Sequence, residues 1–415
     1  MPPLTGVRKV VYQAYRGLPD PVRSLPETLL RARAQAQVRR QPWFSSAGPH
    51  HRWLLGPLNT AGQAEAWARA ARQHAGAQAL SLSVERIAAG AGAFGYATDV
   101  HLSRQVQLRG LEAHRARVLG RGVPGATGVL AESGRPVLGN VFDGTVLDDL
   151  PDLQAAGIWT ALLLHGSELR DLHAHAAAYP SSPFRGPWDE RWERLQRGVE
   201  RTRDLVARSG LPVLVSTPDL LDAAPGARLL PVVVDVDRLV AAAAEAGVRP
   251  LERDRPVVLH APSNPLLKGT AVIEEVLGHL QDEGLVDYRR LSGVPHARMA
   301  ALLADADVVV DQVVLGNPGV LAAEALAAGR VVVAHLAAAV RERLRDEDGT
   351  GAEVPVLEAD AGTLAQVLRE LLRDRAHAQD LAGRGPAWAR RHHDGRRAAQ
   401  VLSDVLGATS DDGPG

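Results

Sequence analysis

Of the 47 basic residues in this 415-residue chain, two are lysines, Lys9 and Lys268, and the other 45 are arginines. Against so strong a drift toward arginine, a retained lysine marks a place where a guanidinium would not serve. Lys268 lies in His260-Ala-Pro-Ser263-Asn-Pro-Leu-Leu-Lys268-Gly269-Thr270, between a strand-like run (Pro256–His260) and a helix-like run (Ala271–Leu280). In an open α/β sheet this is where anions bind, because strand C-termini and helix N-termini present free N–H groups and the positive end of a helix dipole. A compact ammonium on a flexible stem adds a movable point charge there. The plain alternative is a solvated surface lysine.

A second stretch runs Asp311-Gln312-Val-Val-Leu-Gly316-Asn317-Pro318-Gly319-Val-Leu-Ala-Ala-Glu324-Ala-Leu-Ala-Ala-Gly329. Between Gly319 and Gly329 the residues are Val, Leu and Ala apart from Glu324, so the helix predicted there has no polar face and is buried nearly all round. A lone buried carboxylate costs several kcal/mol or is neutralised. Glu324 therefore needs a partner, either a buried arginine or a ligand with a pair of hydroxyls, such as a ribose. A nucleotide diphosphate would satisfy Glu324 and Lys268 together.

Other constellations say less. Gly56-Pro-Leu-Asn59-Thr-Ala-Gly62-Gln63 joins a strand to a helix and lets a backbone approach a ligand, but it is no G-x-G-x-x-G fingerprint and reads equally as an ordinary βα turn. His165-Gly166-Ser167-Glu168 ends a buried strand, where a histidine can face an interdomain cleft or play a structural part. His173 and His175 lack a recognisable ligand spacing with His165, so solvated helix histidines are the favoured reading. Asp235-Val-Asp237 mimics an Asp-x-Asp metal motif, yet an aspartate capping the following helix explains it, and no metal site is assigned. Arg390-Arg-His-His393 with Arg396 and Arg397 reads as a solvated basic helix end.

The elements that must hold these groups alternate regularly. Strands are predicted at 52–55, 77–82, 127–131, 158–165, 212–216 and 229–234, then at 256–260, 287–291, 307–313, 330–335 and 354–358. Helices are predicted between them, including 61–75, 106–119, 148–156, 189–209, 269–280, 296–305, 319–328, 337–346 and 363–373, the last with a Thr363-x-x-Gln366 capping box. Apolar strands alternating with helices point to parallel sheets covered on both faces, hence two consecutive Rossmann-like, doubly wound domains. The expected boundaries are a basic extension over 1–45, a first domain over 46–235 to which a helix at 385–408 returns, a second over 236–384, and a tail over 409–415.

The bulk numbers narrow the classes. Charge balances at 47 basic against 48 acidic residues, which argues against nucleic-acid binding through a global field. The sequence has no cysteine, so disulfides, thiolate metal sites and cysteine nucleophiles are excluded. No apolar run approaches the ~20 residues that span a bilayer, and the expectation is a soluble, cytoplasmic protein. Residues 1–40 carry eight basic residues against Asp20 and Glu27; a basic helix within 29–40 either packs on its own protein or makes a peripheral contact with an anionic membrane face.

The Lys268-Gly269 loop, followed by Gly319-x4-Glu324-Ala-Leu-Ala-Ala-Gly329-x-Val-Val-Val-Ala334, resembles the donor site of the retaining, two-domain GT-B glycosyltransferases of family 4, over roughly residues 50–400. The passage from Ser216-Thr-Pro-Asp to Pro231-Val-Val-Val-Asp235 is similar to that family's approach to the interdomain linker. The resemblance implies a nucleotide-diphosphate sugar as donor, with Lys268 and Gly269 at the diphosphate and Glu324 on the ribose. It also implies that the loop Gly316–Asn317–Gly319 offers N–H groups, that the Gly56–Gln63 loop with Asn59 and Gly62 closes over the diphosphate, and that His165 lies near the transferred sugar.

Two positions depart from the pattern. Ser263 replaces an arginine five residues before the lysine, and Gly316 replaces the first glutamate of a Glu-x7-Glu pair; Asp311 and Gln312 are candidates to take over its sugar contact. The implied activity is transfer of a sugar to an acceptor hydroxyl, with no obligatory metal and an acceptor (glycan, lipid-linked or small molecule) that the sequence does not name. The departures motivate the alternative of an inactive GT-B protein that binds and supports a partner transferase.

Overall fold

The computed structural model describes residues 20–85, 95–139, 144–346 and 350–407. Lys9, the rest of residues 1–19 and the tail 409–415 lie outside them. Two parallel sheets form. The first has seven strands, β1 (Arg52–Gly56), β2 (Gln78–Val84), β3 (Val100–Leu102), β4 (Gly128–Glu132), β5 (Trp159–Leu164), β6 (Val213–Val215) and β7 (Arg228–Leu229), in the order β3-β2-β1-β4-β5-β6-β7. The second has five, β8 (Val257–His260), β9 (Asp287–Arg290), β10 (Val308–Val310), β11 (Val331–Ala334) and β12 (Leu357–Glu358), in the order β12-β11-β10-β8-β9. Every ladder is parallel, and helices lie in the crossovers other than β2 to β3, most of which falls outside the described residues, as continuous apolar strands such as Val331–Ala334 require.

Where structure and periodicity differ, side chains are the reason. The run predicted as strand over 229–234 pairs only at Arg228–Leu229. Beyond it the chain becomes the connection between sheets, and side chains take its backbone groups: Gln63 Oε1 accepts from Val233 N and its Nε2 donates to Val233 O, while Trp67 Nε1 donates to Pro231 O at 2.8 Å. The predicted helix over 106–119 is two, Arg104–Arg109 and Leu111–Val118, broken at Gly110, which packs against the backbone of Ala34. The edge strand β3, three residues long, carried too little pattern to be seen. Thr363 and Gln366 do not form the capping box; Asp360 Oδ1 accepts from the N–H groups of Gly362 and Thr363 instead, and Gln366 bonds Glu370.

The helix Asp20–Arg40 lies on the first sheet's helical layer, with Ala34 and Val38 buried and Arg117 donating to Val38 O at 2.6 Å. That helix spends its small apolar residues on its own protein. At the other end of the chain, the helix Arg396–Leu406 returns to the first core, where Ala398, Leu402 and Leu406 join Trp53 and Trp67. His392 and His393 are not solvated: His392 is buried, and His393 is bonded through Nδ1 to Val232 O and through its carbonyl to Val234 N. Among the described residues no helix is long and apolar enough to cross a membrane.

The helix Val320–Ala327 is buried almost all round, between β11 and the long helix Arg375–His393. A Cβ on Gly385 would stand 2.6 Å from Leu326 O, so the two helices meet at backbone distance. This contact fixes the helix that carries Glu324.

Candidate functional site

A cavity of about 340 Å³ opens between the two sheets, at the C-terminal ends of their strands. Lys268, Gly319 and Glu324 line it from the second unit, and His165, Ser216 and Thr60 line it from the first. The rare ammonium and the lone acid of the aliphatic helix therefore face one space.

Lys268 closes a single turn of helix, Pro265–Lys268, which Asn264 caps by accepting from Leu267 N. Gly269 ends the turn at φ 71°, a conformation that suits glycine, and a Cβ there would meet Val313 Cγ2 at 2.7 Å. Lys268 Nζ donates to Asp311 Oδ1 at 2.6 Å. Asp311 follows β10 directly and is fully buried, and its Oδ2 accepts from Gly319 N, at the start of the helix Val320–Ala327, also at 2.6 Å.

Packing around Gly319 is tight. A Cβ on it would lie 2.5 Å from Lys268 Nζ and 3.0 Å from Asp311 Oδ2. At φ −91° the backbone tolerates alanine, so Gly319→Ala is expected to displace the ammonium rather than the helix. Anion affinity in a calorimetric titration should fall by about tenfold or more while the melting temperature changes little.

Glu324 is 7% exposed, and its side-chain partner is a histidine rather than an arginine: His296 Nε2 lies 2.6 Å from Oε1. The Tyr96 ring, from the first unit, rests 5.0 Å from the His296 ring. Burial and then the nearby Glu324 charge push the Tyr96 hydroxyl up to about 12. Gly62, at φ 74°, leaves room for that ring: a Cβ there would meet Tyr96 Cδ1 at 2.5 Å.

Across the cavity, His165 is locked at both nitrogens. Nδ1 lies 2.8 Å from Ser216 Oγ and Nε2 lies 3.0 Å from Glu132 Oε1. Glu132, 1% exposed at the end of β4, also accepts the N–H groups of Leu58, Asn59 and Thr60, so one carboxylate shapes the Gly56–Gln63 loop and orients the histidine. Burial alone would lower the His165 pKa, but the hydrogen bond and charge of Glu132 outweigh it and raise the value. Burial likewise would raise Glu132, and His165 with the Thr60 N–H brings it below the usual carboxylate range. Trp67 stacks on the imidazole, rings 6.3 Å apart and nearly parallel. Glu168 caps the turn after His165 by accepting from its N–H.

Most of the remaining predicted residues have structural duties. Gln312 does not reach the cavity: its amide donates to His335 O and accepts from Val314 N and Leu315 N, holding the loop before Gly316. Gly316, at φ 73°, packs on Ala337. Asn317 is 6% exposed, and neither polar atom of its amide has a partner. Gly56 approaches the Leu82 carbonyl too closely for any Cβ, Asn59 bonds Ala97 O and Glu65 N, and Gln63 holds the connecting segment.

Ser263 lines the cavity where the resemblance led to an arginine. His175 is buried rather than solvated, bonded to Ser182 Oγ and, across the units, to Leu315 O; His173 stacks on Trp188. Asp235 caps the helix Val236–Ala246 through Arg238 N, and Asp237 pairs with Arg390.

Sequence reasoning missed Glu132, His296, Tyr96 and Ser216. Glu132 had a signal, as the lone charge ending an otherwise apolar strand. His296 and Tyr96 had none, because only the tertiary fold brings their loops to Glu324.

No protein-family model matches the sequence, and no curated protein matches it. Solved structures do. HepE of Anabaena, in complex with UDP and glucose, is 15% identical over 86% of this chain and 99% of its own, with a TM-score of 0.54. A glycosyltransferase of Rickettsia africae (11% identity, 86% and 99% covered, TM-score 0.51) and the sucrose-phosphate synthase of Thermosynechococcus elongatus (15%, 86% and 98%, TM-score 0.50) are similar to the same extent. At such identities the likeness is one of fold: two parallel-sheet α/β units flanking a cleft, the GT-B arrangement.

Proposed function

We propose that this protein is a glycosyltransferase that moves a sugar from a nucleotide-diphosphate donor to an acceptor hydroxyl, with retention at the anomeric carbon. The observation that carries the reading is the convergence of Lys268, the N-terminus of the helix Val320–Ala327 and Glu324 on one interdomain cavity. Fold likeness to HepE, solved with UDP and with UDP-glucose, supports it by analogy.

In this scheme Glu324 accepts from the ribose hydroxyls and Lys268 stabilises charge on the leaving diphosphate, helped by helix N-terminal N–H groups, so a metal ion is not obligatory. The acceptor approaches from the first unit, past His165 and Ser216. Attack occurs on the face the diphosphate leaves, and the departing phosphate takes the acceptor proton.

The test is a thermal-shift series with UDP, GDP, ADP and dTDP, followed by mass-spectrometric detection of donor turnover. A ligand at 100 times its dissociation constant adds about 2.7 kcal/mol of stability, enough to raise the melting temperature by several degrees. Stabilisation by one nucleotide supports the transferase. Indifference to all four, with no turnover, would return the chain to the role of a partner protein.

A further inference from the structure

The cavity is short of positive charge for the ligand assigned to it. Among the described residues that line it, Lys268 is the one lysine or arginine, and its ammonium already touches the buried carboxylate of Asp311. A nucleotide-diphosphate sugar would bring two negative charges to a site whose lysine and aspartate cancel. Glu324 lines the same space and adds a further acid.

Asp311 also holds the second donor an anion would use. Its Oδ1 accepts from Lys268 Nζ and its Oδ2 from Gly319 N, both at 2.6 Å, so one carboxylate engages the ammonium and the first free N–H of the helix. A carboxylate and a phosphate recognise the same donors. With 0% exposure Asp311 is not screened by solvent.

We propose that Asp311 is a positioning residue that holds Lys268 between turnovers and competes with the bound diphosphate for it. This deepens the donor-site reading and rests on it. The donor takes the ammonium over from Asp311, which is then left with the Gly319 N–H alone. That penalty falls on every ligand that uses Lys268, the nucleotide product included, so the product is held weakly and released readily.

The chain's two lysines make the hand-over visible. In protein grown with 15Nζ,13Cε-lysine, full length, two side-chain signals are expected, and the one that Lys268→Met removes belongs to Lys268. The probes are inorganic pyrophosphate and UDP. With wild type, the Lys268 signal should move on titration. With Asp311→Asn, which keeps an acceptor for Gly319 N–H and removes the charge, both probes should bind about tenfold or more tightly, with loss of the salt-bridge shift in the free protein.

If wild type binds a probe and Asp311→Asn binds it no better, while the Lys268 signal moves, the competition is refuted and the donor-site reading stands; if the Lys268 signal stays still as the probe binds, both are refuted. If neither probe moves the Lys268 signal nor binds either protein, both are refuted. Should Asp311→Asn fail to fold, Asp311→Ser, with its hydroxyl available to Gly319 N–H, carries the same comparison.

Discussion

Lys268→Met is expected to weaken nucleotide binding by about 100-fold or more and to bring glycosyl transfer below detection, since it removes the one lysine or arginine among the described residues of the cavity wall. It should also destabilise the protein, because it leaves the fully buried Asp311 carboxylate without its ion partner. Removing one member of a buried pair typically costs about 3–5 kcal/mol, and the partial exposure of the lysine, 16%, places the loss toward the lower end. Loss of function by this variant alone would thus be ambiguous. The double variant Lys268→Met with Asp311→Asn separates the effects: its melting temperature should recover toward wild type, while nucleotide binding by calorimetry stays lost. Lys268→Arg should not rescue, because the ammonium packs directly on Gly319 and the broader guanidinium has no room there. Near-normal turnover in Lys268→Met would end the donor-site scheme.

Glu132→Gln is the second large effect, and its signature is pH. In wild type the His165 pKa stands above its ordinary 6.5 and that of Glu132 below its ordinary 4.5. The histidine's contribution to stability is complete below pH 6.5 and is lost as pH rises through its raised folded value. The glutamate's is complete above pH 4.5 and is lost as pH falls through its depressed folded value. Both are in force between 4.5 and 6.5.

In the glutamine variant the imidazole keeps its burial and loses the carboxylate, so its charged form is disfavoured. The wild-type advantage, about 3 kcal/mol or more for a broken buried pair, should be largest in that acidic window and should narrow as pH climbs past the raised histidine value. Melting curves of both proteins from acid to mild alkali measure it. A difference that stays constant with pH would show that Glu132 serves only to hold the Leu58, Asn59 and Thr60 N–H groups.

The alternation of sheets and helices was legible because a strand covered on both faces must be apolar throughout. Val331–Ala334 and Leu162–Leu164 could be read without any knowledge of their neighbours. The same logic exposed Lys268 and Glu324: each is an exception to its surroundings, one to an arginine-rich composition and one to an aliphatic helix. Exceptions are visible in one dimension because their cost is local. The segment 231–234 shows the converse, since it has strand composition but hydrogen-bonds to Gln63, Trp67 and His393, residues far away in the chain.

From its residue types and periods alone, then, the chain determined its two parallel-sheet units and the two polar side chains that had to find partners. Tertiary structure alone decided who those partners are. Asp311 takes Lys268, His296 takes Glu324, and Glu132 with Ser216 takes both nitrogens of His165. Burial creates a demand for hydrogen bonds that sequence can register, but distance in space settles which group meets it, and crossover connections place groups tens of residues apart within 3 Å of one another.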